Sequence, residues 1–72
     1  MRYYFHLESE TSICLDHRGR EFQEPRSVAE HAAAMARGLA GDEAWAGWSV
    51  RVIDSNNREV FRVPVGEAIL SK

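Results

Sequence analysis

Several features that would identify a function from sequence are scarce in this chain of 72 residues. Cys14 is the only cysteine, so an internal disulfide is excluded and nothing in the sequence requires an oxidising compartment. Nine basic and eleven acidic residues give a formal charge of −2 and form no block of one sign. Because proteins that bind through phosphates usually carry a basic excess, the charge does not point to nucleic acid.

Long apolar runs and glycine-rich loops are also missing. No stretch approaches the roughly 20 apolar residues that a membrane-spanning helix needs. Residues 1–6 lead directly into a strand pattern rather than into the apolar stretch of a signal peptide. The glycines near the helix follow it, whereas loops that cradle phosphates precede a helix. We therefore expect a cytoplasmic protein without a membrane partner.

What the sequence does contain is typical of a small folded domain. Hydrophobic residues make up 44% and charged residues 28%, which are ordinary globular values. A chain of this length has room for one core, and it buries only roughly 60% of the surface that its unfolded form exposes. We predict one α+β domain over residues 1–72, with low intrinsic stability that association with a partner would raise.

Alternating apolar residues predict four strands. In residues 2–7, Tyr3, Phe5 and Leu7 share one face, and this is the clearest strand pattern in the chain. Further strands are predicted over residues 12–16, 48–54 and 59–63. Residues 16–19 read as a tight turn that ends at Gly19, and residues 55–58 as a hairpin turn in which asparagine adopts left-handed geometry.

One helix is predicted between the second and third strands. Ser27 and Glu30 fit a capping box that starts the helix at Val28, and Gly38 and Gly41 are alternative stop positions. An apolar stripe at helical spacing comprises Val28, Ala32, Met35, Ala36 and Leu39. The fold class that follows is α+β: a small antiparallel sheet of two β-hairpins with one helix packed on one face, in the order ββαββ. A short terminal helical turn is predicted around Ala68, Ile69 and Leu70.

Few residues invite a catalytic or metal-binding interpretation. Cys14 lies between two apolar residues, as expected of a packing or surface thiol rather than of an activated nucleophile. His6, Glu8, Asp16 and His17 come near one another across the first hairpin, but they lack a recognised ligand spacing. His31 is expected on the exposed side of the helix. We predict no catalytic, cofactor-binding or metal-binding residue, no cofactor, and no enzymatic activity.

The sheet face opposite the helix is the most informative surface, and we call it the open face. It combines aromatic and arginine side chains, which suit protein contact and also base stacking with phosphate contacts. Its predicted residues are Arg2, Tyr4, His6, Arg51, Ile53 and Arg62, with Cys14 and Val60 beside them. The sequence predicts a non-enzymatic interaction protein that acts through this face or through a sheet edge. The partner is another protein or a second copy forming a homodimer; the alternative is a nucleic-acid-binding or antitoxin-like regulatory domain.

Three segments carry a resemblance to a known family. They are the opening Arg-Tyr-Tyr-Phe-His-Leu of residues 2–7, the Gly-Trp-Ser-Val-Arg-Val of residues 47–52, and Val-Pro-Val at residues 63–65, with Asp16, Gly19 and Asp54 between them. Together they resemble a family of short uncharacterised bacterial proteins, mostly alphaproteobacterial, that is classified as a domain of unknown function. The resemblance spans nearly the whole chain and implies no substrate, cofactor or catalytic residue. Small antitoxin domains of the HicB type are similar only in layout, which does not establish function.

Overall fold

Residues 1–66 are described by a computed structural model of the chain, which shows an antiparallel sheet of five strands with one long helix on one face. The strands are β1 (Arg2–Glu8), β2 (Ile13–Cys14), β3 (Arg20–Glu21), β4 (Ser49–Asp54) and β5 (Glu59–Pro64), and the helix α1 is Pro25–Leu39. The α+β class and the antiparallel sheet are confirmed. Three strands precede the helix instead of the predicted two, so the order differs from ββαββ. The terminal turn predicted around Ala68, Ile69 and Leu70 lies outside the described residues.

β1 is the strand around which the sheet is organised. The strand order is β2-β1-β4-β5, and β3 also pairs with β1. The register of β1 with β4 runs from Tyr3 opposite Asp54 to Glu8 opposite Ser49. Because directly opposed residues share a face, Phe5 and Val52 both point towards the helix. The predicted alternation in β1 is therefore confirmed.

The edge of the sheet outside β1 is divided between two short strands. The strand predicted over residues 12–16 stops at Cys14, which lies opposite Leu7, and β3 resumes the pairing with Arg20 opposite Tyr3. Residues 15–19 leave the ladder between these points. The predicted turn at Gly19 is confirmed: Gly19 has φ +68°, which glycine adopts without a steric penalty.

The helix begins three residues earlier than predicted. Pro25 is its first residue, and Glu24 is the N-cap without a side-chain capping bond, so the predicted cap at Ser27 was wrong. Proline suits the first helical position because its φ is already helical and no amide is needed there. The helix ends at Leu39 with Ala40 as C-cap in right-handed geometry, so no left-handed glycine terminates it.

The core lies between α1 and the sheet and consists mainly of small side chains. Its fully buried residues on the helix are Val28, Ala32 and Ala36, and those on the sheet are Val50 and Val52, with Phe5 6% exposed. The alanines let the helix approach the sheet closely. Tyr3, Leu7, Phe22, Met35, Phe61 and Val63 surround this cluster and are partly buried.

The hairpin of β4 and β5 is closed by Asp54 and Asn57. The Asp54 carboxylate accepts hydrogen bonds from the amides of Asn56 and Arg58 at 2.9 and 3.0 Å. Asn57 has φ +64°, which confirms the predicted left-handed asparagine in this turn. Asp54 is only 9% exposed, so these bonds satisfy a buried carboxylate.

The helix covers only part of the sheet. Its backbone lies closest to β4 and β5. A helix with its side chains is about 10–12 Å wide, whereas neighbouring strands are about 4.8 Å apart, so one helix covers roughly two strands. The half of the helix-side face that belongs to β1 and β2 is therefore left partly open. The candidate site lies at this uncovered part of the sheet.

Candidate functional site

The structure brings most of the predicted open-face residues together on three neighbouring strands. Tyr4 lies opposite Ile53, and His6 lies opposite Arg51. Arg51 in turn lies opposite Arg62 on β5. The predicted position of Cys14 on this face was wrong: because it lies opposite Leu7, it belongs to the helix side.

Charged residues on the open face are paired with each other. Glu59 accepts hydrogen bonds from Arg51 Nε at 2.7 Å and from Arg62 Nη2 at 2.9 Å. These bonds, that from Arg62 first, lower the pKa of Glu59, and the bond to Glu59 raises the pKa of Arg62. Glu8 Oε1 lies 3.5 Å from Arg51 and 3.7 Å from Arg62; it makes no hydrogen bond and is inaccessible to solvent. Both arginines therefore have carboxylates beside them.

The remaining predicted residues of the open face are less available to a partner. Ile53 is only 6% exposed. Tyr4 is half-buried and its ring lies beside Gly19, where an added Cβ would come within 2.8 Å of it. Arg2 is exposed, but its side chain donates to the carbonyl of Arg18 at 2.6 Å and lies 4.0 Å from Glu21. The open face thus presents mainly its paired charges.

Asp16 replaces the missing strand beside the middle of β1. Its carboxylate accepts from the amide of Phe5 at 3.1 Å and from those of Arg18 and Gly19, also at 3.1 Å. Its own amide donates to Nδ1 of His6 at 2.9 Å. Burial alone would raise the pKa of Asp16, but the bonds from these amides, that from Phe5 foremost, leave it below its ordinary value. One side chain therefore holds residues 15–19 against β1.

A cleft of about 450 Å³ opens between α1 and the segment that follows β2, and we call it the edge cleft. Its apolar lining comes from Phe5 and Leu7 on β1, Leu15 after β2, and Met35 on the helix. Its polar lining comprises Cys14, Asp16, Arg18, Gly19, Arg20 and His31. Leu15 is 54% exposed although it is a large apolar residue. The edge cleft is where the helix no longer covers the sheet.

Histidine and arginine side chains form the polar side of the edge cleft. The ring of His31 meets Phe5 edge-on with centroids 4.8 Å apart, so the prediction that His31 is simply exposed was wrong. Burial, and then the positive charge of Arg20, lower the pKa of His31. The guanidinium of Arg20 also lies 5.6 Å from the centre of the Phe22 ring. Near neutral pH the positive charge of the cleft therefore comes from its arginines.

The sequence did not predict the edge cleft, because Met35 belongs to the predicted apolar stripe of the helix and Leu15 to the strand predicted over residues 12–16. One signal in the sequence is consistent with it: two of the five residues in the helix stripe, Ala32 and Ala36, are alanines. This signal does not reveal where the helix lies across the sheet. The helix position depends on the register of the strands, which is a property of the tertiary structure.

A second, smaller cleft lies at the end of the sheet, between the β1–β2 turn and the residues that lead into β4. It has a volume of about 350 Å³ and is lined by Ser9, Glu10, Thr11, Ala46, Gly47 and Trp48. The rings of Trp45 and Trp48 pack edge-to-face with centroids 5.0 Å apart. The indoles thus pack against each other and stabilise the loop that leads into β4.

Within residues 1–66, no three or more His, Cys, Asp or Glu side chains are grouped so that they could hold a metal ion. In the same part of the chain, no helix has the length and apolar character needed to cross a bilayer.

Comparison with known proteins identifies the family and no relative of known function. No curated protein and no solved structure matches the chain. A family model described as a domain of unknown function, DUF6894, matches residues 2–66. This match includes β1, the turn at Gly19, the helix and both strands of the second hairpin. The chain therefore belongs to the DUF6894 family, as its resemblance to a domain of unknown function predicts.

Proposed function

We propose that this protein is a non-enzymatic interaction domain that binds a protein partner at the sheet edge formed by β2 and β3. The observation that carries the proposal is the edge cleft. It is an apolar recess of about 450 Å³ beside the part of the sheet that α1 does not cover. Leu15 at this recess is 54% exposed, and burying its apolar surface against a partner would be favourable. A partner element placed there would complete the layer that the helix leaves unfinished.

The adjoining edge strand supports the same proposal. Within residues 1–66, β2 pairs with β1 alone, and its Ile13 is 46% exposed. Unpaired strand edges are sites where another chain adds a strand. The opposite edge has features that resist such pairing, because β5 ends at Pro64 and its pairing with β4 is interrupted by a bulge.

The polar groups of the edge cleft favour binding over catalysis. Three backbone amides occupy the carboxylate of Asp16. His31 packs against the rings of Phe5 and Phe22. A general base needs an accessible lone pair within hydrogen-bond reach of its substrate, and the oxygens of Asp16 already accept the bonds that hold residues 15–19.

Nucleic-acid binding or an antitoxin-like role on the open face is the alternative. It draws less support because Arg51 and Arg62 are paired with Glu59, which competes with a phosphate for the same guanidinium groups. The acidic net charge adds to this argument.

Site-specific photo-crosslinking in cells tests the proposal. A benzophenone amino acid replaces Leu15 in the edge cleft, and in a control it replaces Val60, which is 39% exposed on β5. We expect a protein adduct from position 15, identified by mass spectrometry and reproduced with the two purified proteins, and none from position 60. Equal labelling from both positions, or none from position 15, would contradict the proposal. Sedimentation at several concentrations of purified protein shows whether the partner is a second copy.

A further inference from the structure

We infer that the edge cleft recognises an extended segment of a partner protein in which an aliphatic side chain has acidic residues close beside it. This inference rests on the proposed interaction function and specifies the chemistry of the partner. It combines three features of one edge: an apolar recess, two arginines that make no ion pair within residues 1–66, and a strand, β2, that pairs with β1 alone in the same range.

The recess selects for an aliphatic side chain. Leu7, Leu15 and Met35 contribute its aliphatic walls, and Phe5 contributes an aromatic one. Removing apolar surface from water on both sides of the contact supplies the free energy of association. Methionine adapts its conformation to the group that enters, so Met35 lets the recess accept aliphatic side chains of different shape.

The arginines select for carboxylates. Arg18 and Arg20 line the edge cleft, and neither makes an ion pair within residues 1–66. Glu21, the acidic neighbour of Arg20, is bound at 2.8 Å by the N-terminal ammonium group. Asp16 is the acidic residue of the lining, and its oxygens accept hydrogen bonds from the amides of Phe5, Arg18 and Gly19. A carboxylate from a partner would meet two guanidinium groups in a chain whose net charge is −2.

The strand edge selects for an extended backbone. β2 is at the outer end of the sheet, and Cys14 on it lines the recess. A segment that pairs with β2 places alternate side chains on the helix side, where the recess lies. The order of the groups on this edge therefore matches a segment with an aliphatic residue that points into the recess and acidic residues next to it along the chain.

Selection from a phage library of random twelve-residue peptides on the immobilised protein tests the inference. We expect enriched peptides to contain an aliphatic residue with Asp or Glu within two positions of it. The best peptide is then synthesised, and its dissociation constant is measured by fluorescence anisotropy. A double variant, Arg18→Glu with Arg20→Glu, and a single variant, Leu15→Asp, should each weaken binding at least about tenfold, because the first reverses both guanidinium charges and the second puts a carboxylate into the apolar recess.

A matched control separates the site from the overall charge. The double variant Arg26→Glu with Arg37→Glu changes the net charge by the same amount at two exposed helix positions outside the cleft lining. At 0.15 M salt, where long-range charge effects are screened, it should alter the dissociation constant less than about twofold. Amide NMR spectra of each variant verify that it is folded.

Three results would overturn the inference: no enrichment, enrichment of peptides without acidic residues, or peptide binding that the cleft variants leave unchanged. A crosslinked partner at position 15 whose bound segment is basic or folded would refute the inference while supporting the proposed function. Acidic peptides that bind in the cleft without any crosslink in cells would support the chemistry and contradict the proposed function.

Discussion

The backbone amide of Asp16 donates a 2.9 Å hydrogen bond to Nδ1 of His6, ten residues earlier in β1. Nδ1 accepts this bond only when it carries no proton. Burial has the largest effect and lowers the pKa of His6. Arg51 and His17 also lower it, whereas Asp16 and Glu8 raise it, and the net shift is downward. The neutral ring thus helps to hold residues 15–19, and with them one wall of the edge cleft, against β1.

The free energy of unfolding should fall as the pH drops below about 6.5, the ordinary pKa of histidine. His6 and His31 both have lowered pKa values in the folded chain, so the unfolded chain binds more protons in this range. Their stabilising effect is complete above the unfolded pKa and is lost as the pH falls towards the folded values. Urea unfolding at intervals from pH 7.5 to pH 5 measures the effect. The variant His6→Asn, which keeps an acceptor without a titrating ring, should show a weaker dependence, and an unchanged dependence would contradict the role of His6.

Replacing Asp16 with alanine should lower the free energy of unfolding by about 2 kcal/mol, because three backbone amides lose a charged acceptor. Hydrogen exchange of the Phe5 amide should accelerate more than that of amides in β4. Asp42→Ala is the control, since Asp42 accepts from one exposed amide, that of Ala44, and its loss should cost less than about 1 kcal/mol. Equal losses for the two variants would show that Asp16 has no special role.

Two glycine-to-alanine changes should act in opposite directions. At Gly19, φ is +68° and an added Cβ would lie 2.8 Å from the carbonyl oxygen of Tyr3, so we expect a loss of about 2–3 kcal/mol. At Gly38, inside the last turn of the helix, an added Cβ meets nothing within 4 Å. Alanine there should raise stability by about 0.5 kcal/mol. Thermal unfolding of both variants checks the prediction, and a stabilised Gly19 variant would refute the described turn.

The core should tolerate little loss of volume because it is small. Val50 is fully buried between the helix and the sheet, and Val50→Ala should cost about 2 kcal/mol. Val60→Ala removes the same methyl groups from a side chain that is 39% exposed, and its effect should stay below about 0.5 kcal/mol. Denaturant unfolding compares them, and similar costs at both positions would be inconsistent with the described burial.

Short oligonucleotides should not bind to the open face. Arg51 and Arg62 are already paired with Glu59, so a phosphate would have to displace a carboxylate. A titration of fluorescent single strands at 20 mM salt should give no saturable change. The variant Glu59→Gln removes one of the two carboxylates beside the arginines and serves as a positive comparison. Tight binding by the wild-type protein that Arg62→Glu abolishes would revive the nucleic-acid alternative.

Much of the fold could be predicted from local patterns. The alternation of Tyr3, Phe5 and Leu7, the stripe of Val28, Ala32 and Ala36, and the positive-φ turns at Gly19 and Asn57 are confirmed. Each of these features depends on neighbours within a few residues, and the sequence displays that information directly. The helix start was wrong because Pro25 and Ser27 both offer acceptable beginnings, and local propensity does not decide between them.

The candidate site could be predicted only in part. Period-two alternation places Tyr4, His6, Arg51 and Arg62 on one face, and the registers bear this out. Alternation does not reveal that Glu59 and Glu8 lie beside the arginines, nor that Ile53 is buried. Those facts depend on which strands are neighbours, and the bulge between β4 and β5 further shifts the residues that face each other.

The sequence by itself determined the α+β class, the faces of the longer strands and the glycine that the Asp16 turn requires, because each follows from backbone geometry over a short segment. Only the tertiary structure decided that Asp16 replaces a strand beside β1 and that the helix lies over β4 and β5. The physical reason is that one helix is about two strands wide. The chain must leave part of its sheet uncovered, and long-range pairing determines that this part includes Leu7 and Leu15.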